Sequence, residues 1–489
     1  MQKLFLLFIV ISLMAGGARA ADPADAKISL ADVRADLALL KEAYTRIHPG
    51  LTRYADAADI DAAWAAIDAK AAAKDGLTLG EFYIEIQRAL TVIRCDHTKA
   101  EIPRAMRDFR KEAPVYLPFK WTLVEGRGFI TAVPEGSPLA VKDEILAIDG
   151  RALSSLVEEV APLVPVDGYT VWARDSGVGQ SLEFMGGAVD HFGMLLWDNS
   201  PEAALTVRRG AEELALTTPR LTYDAYAALE EADEPAANFK DAVTFKRIGD
   251  NAAHLRVDTF VNYRQPVKPK TIYDPIFKAL KEEGRDKLIL DVRRNGGGSD
   301  DAKDGLVENL ITQKMRIVND ARVATIDHSG LEEHLSTWEK RAINPPRIAF
   351  KKNADGTYSL RPFFDDALKT KKPTRNAFGG DLIVLTSRDN SSGSTNLVGL
   401  LKSLGRATLV GEQTGGSPNG ATAGVILTLT LPNSKIRARI PQFRYYNNVS
   451  GFEDGYGASP DIDAPLTADA FLAGRDPAYE AALEIVAGR

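Results

Sequence analysis

From Leu30 to about Ala100 the chain reads as helix. Val33, Leu37, Leu40 and Tyr44 recur at three- and four-residue steps, as do Ala63, Ala66 and Ile67, and then Phe82, Ile86, Leu90 and Ile93; such spacing gathers each set on one helical face. His48-Pro49-Gly50 and Asp75-Gly76 interrupt the pattern, as turn-forming residues do between helices. The reading is a helical N-terminal domain over residues 21–110.

From about Pro114 to Leu221 the pattern changes. Phe129 to Val133 reads as a strand, and Ser137 to Gly150 as a helical turn, a strand and a tight Asp149-Gly150 turn. The stretch Lys142-Asp143-Glu144-Ile145-Leu146-Ala147-Ile148-Asp149-Gly150 resembles the PDZ module of bacterial proteases. A last strand is expected at Ala204 to Arg208, after an insertion rich in glycine and aromatics. We read residues 111–225 as a PDZ-like domain with an insertion. Modules of this kind take peptide termini by strand addition.

From Val243 onward strands and helices alternate, the signature of an α/β layer structure, and residues 240–489 are read as one α/β domain. Lys287 to Val292 is an apolar strand that runs into a glycine-rich turn. Leu382 to Thr386, Ala407 to Val410 and Val425 to Leu431 are further strands, and Leu397 to Leu404 a helix. The polar, irregular stretch Thr312 to Phe378 is expected to cover this domain as a lid.

Composition narrows the class. The 489 residues are 45% hydrophobic and 26% charged, with a net charge of -7, so no nucleic acid or anionic membrane surface is implied as a partner. Lys3, the apolar run Leu4 to Met14 and Ala18-Arg19-Ala20 have the form of a secretory signal peptide over residues 1–20, which predicts a periplasmic or secreted protein. No later run approaches the ~20 apolar residues of a membrane span. With Cys95 the only cysteine, no internal disulfide can form.

Three places could carry chemistry. Asn390-Ser391-Ser392-Gly393-Ser394 lies between a strand and a helix. A serine hydroxyl there stands beside free N–H groups that favour negative charge, although serines in this position commonly cap helices. Asp291-Val292-Arg293-Arg294-Asn295-Gly296-Gly297-Gly298 lets backbone N–H groups approach a bound group closely. It lacks the G-x-G-x-x-G and Lys-Ser/Thr patterns of nucleotide sites. Asp96-His97-Thr98 holds one of six histidines (His48, His97, His191, His254, His328 and His334), and spacing alone does not select among them. H-E-x-x-H is absent and a single cysteine cannot form a cysteine cage, so neither a metal nor a cofactor is expected. Cys95 is set aside as a nucleophile.

Taken in order, four motifs resemble the C-terminal processing (tail-specific) serine peptidases. Asp291 to Gly298 is similar to their "DLRGNGGG". Thr386 to Gly393, followed by Gly405 to Gly416, is similar to their nucleophile turn and next strand. Cys95-Asp96-His97-Thr98 is similar to "DGHT", and Asp454 to Asp461 to "EGxGVxPD". The resemblance implies a crotonase-like ββα catalytic core. It aligns Ser392 with the nucleophile, and Gly297 and Gly393 with the oxyanion donors. Ser417 stands where the lysine of a Ser-Lys dyad would fall, so the resemblance points to the tricorn-like and retinoid-binding-protein-like branch, with His97 as base and Asp454, or the adjacent Glu453, as orienting acid. The sequence departs from the family pattern at Asp96, usually Gly or Ser, and at Thr395, commonly Glu.

The implied function is hydrolysis of peptide bonds in proteins or peptides, near C-termini, by acyl transfer from Ser392 to water. Two other readings use the same residues: a relative that binds apolar ligands or peptides in the cleft, and an esterase or amidase for small molecules.

Overall fold

The computed structural model describes residues 21–181, 183–197 and 200–488. The signal-peptide reading of residues 1–20 lies outside them. No helix among the described residues is long and apolar enough to cross a membrane.

The N-terminal region is built on helices Leu30–Ile47, Ala57–Ala73 and Leu79–Thr91. The first starts at Ser29, whose hydroxyl accepts from Asp32 N–H at 3.2 Å, and the third at a reciprocal capping box between Thr78 and Glu81. Val33, Leu37, Leu40 and Tyr44 are buried, as are Phe82, Ile86, Leu90 and Ile93. The middle helix turns otherwise than expected. Ile60, Trp64, Ile67 and Ala71 face inward while Ala66 is exposed, because alanines sit on either face of an alanine-rich helix and blur its period. A helix at Arg104–Glu112 follows.

The second region is a β-sheet in the order Lys120–Val124, Arg127–Ala132, Glu144–Ile148, Glu202–Arg209, Glu212–Pro219. The Asp149-Gly150 turn has both residues at positive φ, 50° and 74°, the geometry tight hairpins need. It returns the chain to pair Ala147 with Ala152. The insertion contributes helices Leu153–Val160 and Ala188–Leu196.

The third region contains two sheets. The first has the order Val243–Ile248, Ala252–Val257, Lys287–Asp291, Asp381–Thr386, Thr408–Gly411, Ile462–Asp463. Its strands are parallel except for the first hairpin. Helices Pro269–Glu282, Asp300–Leu310 and Ser392–Ser403 pack on it around Phe277, Leu306, Val398 and Leu401.

The second sheet is built on the long hairpin Thr422–Thr430 and Arg437–Asn447. It absorbs the stretch expected to be a lid: Val318–Val323 pairs with Arg437–Asn447, and Tyr358–Leu360 and Phe350–Lys352 extend the edge. These strands are short, and Asp320, Arg322, Lys351 and Lys352 interrupt their apolar positions, so no periodic run betrays them in the sequence.

One pairing crosses regions. Ala100–Glu101, three residues past His97, joins the same hairpin with Glu101 opposite Arg437 and Ala100 opposite Ala438. Arg439 N–H donates to Lys99 O at 2.9 Å and Tyr44 Oη to Arg439 O at 2.7 Å. Asp36, fully buried on the first helix, accepts from the hairpin tip: Asn433 and Ser434 backbone N–H at 3.0 and 2.8 Å, Asn433 Nδ2 at 2.9 Å and Ser434 Oγ at 2.6 Å. The helical region is thereby fastened to the hairpin at both ends.

Candidate active site

Strand Asp381–Thr386 leads through Ser387 to Ser391 into helix Ser392–Ser403. Ser392 opens the helix at φ 50°, in the left-handed region that non-glycine residues occupy only when their surroundings impose it. Ser391 is the cap residue by position but makes no capping bond; its Oγ donates to Asp96 Oδ2 at 2.6 Å. Ser394 Oγ accepts from Asn390 Nδ2 at 3.1 Å. Among the described residues only Ser392 of these three serines has a hydroxyl that no other group engages.

The glycine-rich turn lies against it. A Cβ placed on Gly297, at φ 105°, would fall 2.9 Å from Ser392 Cβ and 3.0 Å from Gly393 N, so only glycine fits. Buried Asn390 joins the two turns, donating from Nδ2 to Val292 O at 2.5 Å and to Asn295 O at 3.3 Å. Gly297 departs from its expected part, because its N–H donates to Asn295 Oδ1 at 2.9 Å. Gly298 N lies 3.9 Å from the Cβ position of Gly393, and no hydrogen bond among the described residues uses the N–H of Gly298 or of Gly393. These two amides are the available donors beside Ser392.

His97 sits in the turn between helix Leu79–Thr91 and strand Ala100–Glu101. Its Nδ1 is 2.5 Å from Asp96 Oδ1. Asp96 thus meets His97 with one oxygen and Ser391 with the other. Burial works against the charge on each partner, but their mutual attraction outweighs it, raising His97 above the usual histidine range and lowering Asp96 below the usual carboxylate range. Buried His48 supports the turn, with Nε2 at 2.9 Å from Thr98 Oγ1.

The acid expected from the sequence stands elsewhere. Asp454 takes Arg53 Nη2 at 2.5 Å, Arg53 Nε at 3.2 Å and Tyr54 Oη at 3.2 Å. Arg53 holds it below the usual carboxylate range against its partial burial. Glu453 is exposed and neither residue contacts His97. The carboxylate on His97 is its own neighbour, Asp96. The sequence signal was the Asp-His pair itself: in a turn, adjacent side chains can meet, as they cannot in a helix or strand.

Two further charged groups lie close by. Asp167, from the insertion, is buried and accepts from Ser417 N–H at 3.0 Å. Its Oδ1 has no hydrogen-bond partner. Burial first, and then the charge of Asp96, raise its pKa. Lys303 runs beneath the nucleophile turn, with Cδ 3.6 Å from the Cβ position of Gly393. Its Nζ is paired to Asp300 at 2.6 Å and Asp304 at 3.3 Å. Burial opposes the charge, but the two carboxylates outweigh it and raise the pKa of this lysine above its usual value.

The side chains of Cys95, Asp96 and His97 form the one cluster among the described residues that could hold a metal ion, with one ligand atom from each within 4.8 Å of the others. Asp96 is already engaged by His97 and Ser391, and Cys95 Sγ donates to Thr422 O at 3.4 Å. Such an arrangement can serve as a base and its orienting acid beside a serine.

Ser392 opens its helix in the left-handed region, two amides without partners among the described residues lie near it, and the bond from Ser391 to Asp96 brings the turn of His97 against its own. Residues 251–464 match Peptidase family S41 and residues 113–227 match a PDZ domain, so the chain carries an S41 peptidase domain preceded by a PDZ domain. Among solved structures it is similar to mature CPAF, with 14% identity and a TM-score of 0.61 over 93% of this chain and 96% of that one. It is also similar to mature CPAF complexed with lactacystin, with 15% identity and a TM-score of 0.61 over 94% and 97%. The photosystem II D1 C-terminal processing protease aligns over 90% of this chain and 94% of that one, at 17% identity and a TM-score of 0.44. No curated protein matches the sequence.

Proposed function

We propose that the chain is an exported peptidase that cleaves proteins or peptides near their C-termini by acyl transfer, with Ser392 as nucleophile and His97 as base. The observation that carries this reading is the 2.6 Å bond from Ser391 to Asp96, which holds the turn of the serine against the turn of the histidine. Ser392 Oγ attacks the carbonyl carbon, and its proton passes to His97 Nε2, the nitrogen left when Nδ1 faces Asp96. The amides of Gly393 and Gly298 receive the oxyanion, where losing one such donor costs about 3–4 kcal/mol. The amine leaves with the proton from His97. Water then attacks the acyl-enzyme, gives His97 a proton, and restores Ser392 as the carboxylic acid departs.

Export rests on the pattern of residues 1–20, and the C-terminal preference on the PDZ domain, whose kind captures peptide ends. Peptide hydrolysis by the purified chain, compared with Ser392→Ala and His97→Ala, tests the chemistry. Full activity in either variant would refute the assignment. Fluorophosphonate labelling should modify Ser392 and leave Ser391 free.

A further inference from the structure

The basic residues of the chain are unevenly placed. Residues 340–375 hold ten lysines and arginines against three aspartates, in a chain whose net charge is -7. The stretch includes the last two strands of the second sheet, Tyr358–Leu360 and, at its edge, Phe350–Lys352. The three aspartates are engaged locally: Asp355 by Arg322 and Thr357, Asp365 by Ala367 N–H, and Asp366 by Lys369. Lys371 pairs with Asp304. Arg347, Lys351, Lys352 and Arg361 are exposed and have no ion pair among the described residues. Arg361 Nε reaches only Phe350 O, at 3.4 Å.

The same corner carries the two most exposed large apolar side chains of the described residues, Phe363 at 82% and Ile348 at 74%, with Phe364 at 45%. Arg361 N–H donates to Ala349 O at 2.8 Å, and Phe364 N–H to Arg361 O at 2.9 Å. The first bond sets Ile348 beside Arg361. The second folds Arg361-Pro362-Phe363-Phe364 into a turn whose two rings meet edge to face, with centres 5.3 Å apart. Lysines on an edge strand commonly keep it from pairing with another chain, which accounts for Lys351 and Lys352. It does not account for two phenylalanines and an isoleucine exposed beside them, because clustered exposed apolar side chains mark a surface that associates. Three apolar side chains at a turn fall short of the roughly 800 Å² that a stable protein partner covers on each side. They suit a surface that single side chains can enter. Apolar side chains ringed by Lys and Arg bind such an interface through apolar burial and attraction to anionic lipid.

We propose that this corner docks the chain on an anionic lipid bilayer. Ile348, Phe363 and Phe364 enter the headgroup region, and the four unpaired cations meet lipid phosphates. The net charge of -7 opposes such a partner for the chain as a whole, and the local charge reverses the sign at this corner. The docking does not depend on the chemistry at Ser392.

The test sediments the exported form, without residues 1–20, with two kinds of vesicle: phosphatidylcholine alone, and phosphatidylcholine with about one third phosphatidylglycerol. Each is used in ~0.05 M and ~0.5 M salt, between which the screening length shrinks about threefold. The chain should bind the mixed vesicles in low salt and the neutral ones far more weakly. Phe363→Ser combined with Phe364→Ser should weaken binding about tenfold or more. Lys351→Gln combined with Lys352→Gln should weaken it about 25-fold, at roughly fivefold for each cation near an anionic surface, and high salt should shrink this loss. Thermal melts of the variants should match wild type, since the substituted side chains are exposed. Failure to bind the mixed vesicles would overturn the proposal, as would equal binding to the neutral ones or binding that both pairs of substitutions leave unchanged. A dimer in analytical ultracentrifugation that the phenylalanine substitutions dissociate would make the corner a contact between copies and overturn the lipid assignment. None of these measurements involves hydrolysis, so they stand apart from the test of the peptidase reading.

Discussion

Ser391 donates its hydroxyl to Asp96 at 2.6 Å, so the residue before the candidate nucleophile ties the S41 domain to the turn that carries His97. The bond predicts different outcomes for adjacent serines. Ser392→Ala should abolish hydrolysis and fluorophosphonate labelling. Ser391→Ala should keep labelling and lower kcat/KM by roughly 10–100-fold, the equivalent of about 1.5–3 kcal/mol for a hydrogen bond to a charged group.

Asp96 also sets the pH dependence. Its carboxylate stabilises the imidazolium of His97, and a general base must be neutral to accept a proton. Activity of the wild-type chain should therefore rise with pH into the alkaline range as His97 deprotonates. Asp96→Asn removes the negative charge, lowers the His97 pKa and moves the acidic limb of the kcat/KM profile to lower pH. The plateau should fall as well, because the ring loses its orienting partner. An acidic limb that stays in place would show that Asp96 does not control His97.

Gly297 and its neighbour Gly296 give a steric contrast. Alanine at 297 would place Cβ 2.9 Å from Ser392 Cβ at a φ of 105°, whereas at 296 the nearest atom is Asp389 O at 3.8 Å. Gly297→Ala should reduce kcat by about two orders of magnitude or more, as displacement of catalytic groups does, while Gly296→Ala stays near wild type. Thermal melts on the same samples would separate loss of the site from loss of the fold.

The distribution of these residues explains what could be read from the sequence. Ser392, the glycine-rich turn and His97 lie in short segments whose chemistry is local, and their order along the chain points to the fold. A motif position does not reveal a competing partner: the carboxylate of Asp454 is taken by Arg53, 401 positions away in the chain. Nor does it reveal that the Gly297 N–H donates to Asn295 Oδ1, two residues before it. The edges of the second sheet escape the sequence because they are assembled from strands of two or three residues drawn from separate stretches of the chain. Such strands gain their stability from the partner hairpin and leave little pattern of their own.

Asp167 predicts a pH effect on stability. Burial raises its pKa in the folded chain, so the folded state holds a proton that the unfolded state releases above the usual carboxylate range. The folded state binds more protons in that window, and its stability falls as pH rises through it. Asp167→Asn cannot ionise. Relative to wild type it should gain stability progressively from about pH 4 towards neutral, read as a widening difference in denaturation midpoints. A constant difference across that range would place the proton elsewhere.

Asp36 makes the longest-range prediction. Buried on the first helix, it accepts four hydrogen bonds from Asn433 and Ser434, and the hairpin they cap also pairs with Ala100–Glu101 beyond His97. Asp36→Ala strands two backbone N–H groups and two side-chain donors, at a cost of about 3 kcal/mol or more given ~1–3 kcal/mol for each unsatisfied buried group. The hairpin tip is then free to shift, and with it the edge that fixes the histidine turn. Activity should fall more steeply than the folded fraction when both are followed through a mild urea titration. If activity merely tracks the folded fraction, Asp36 stabilises the chain without positioning His97.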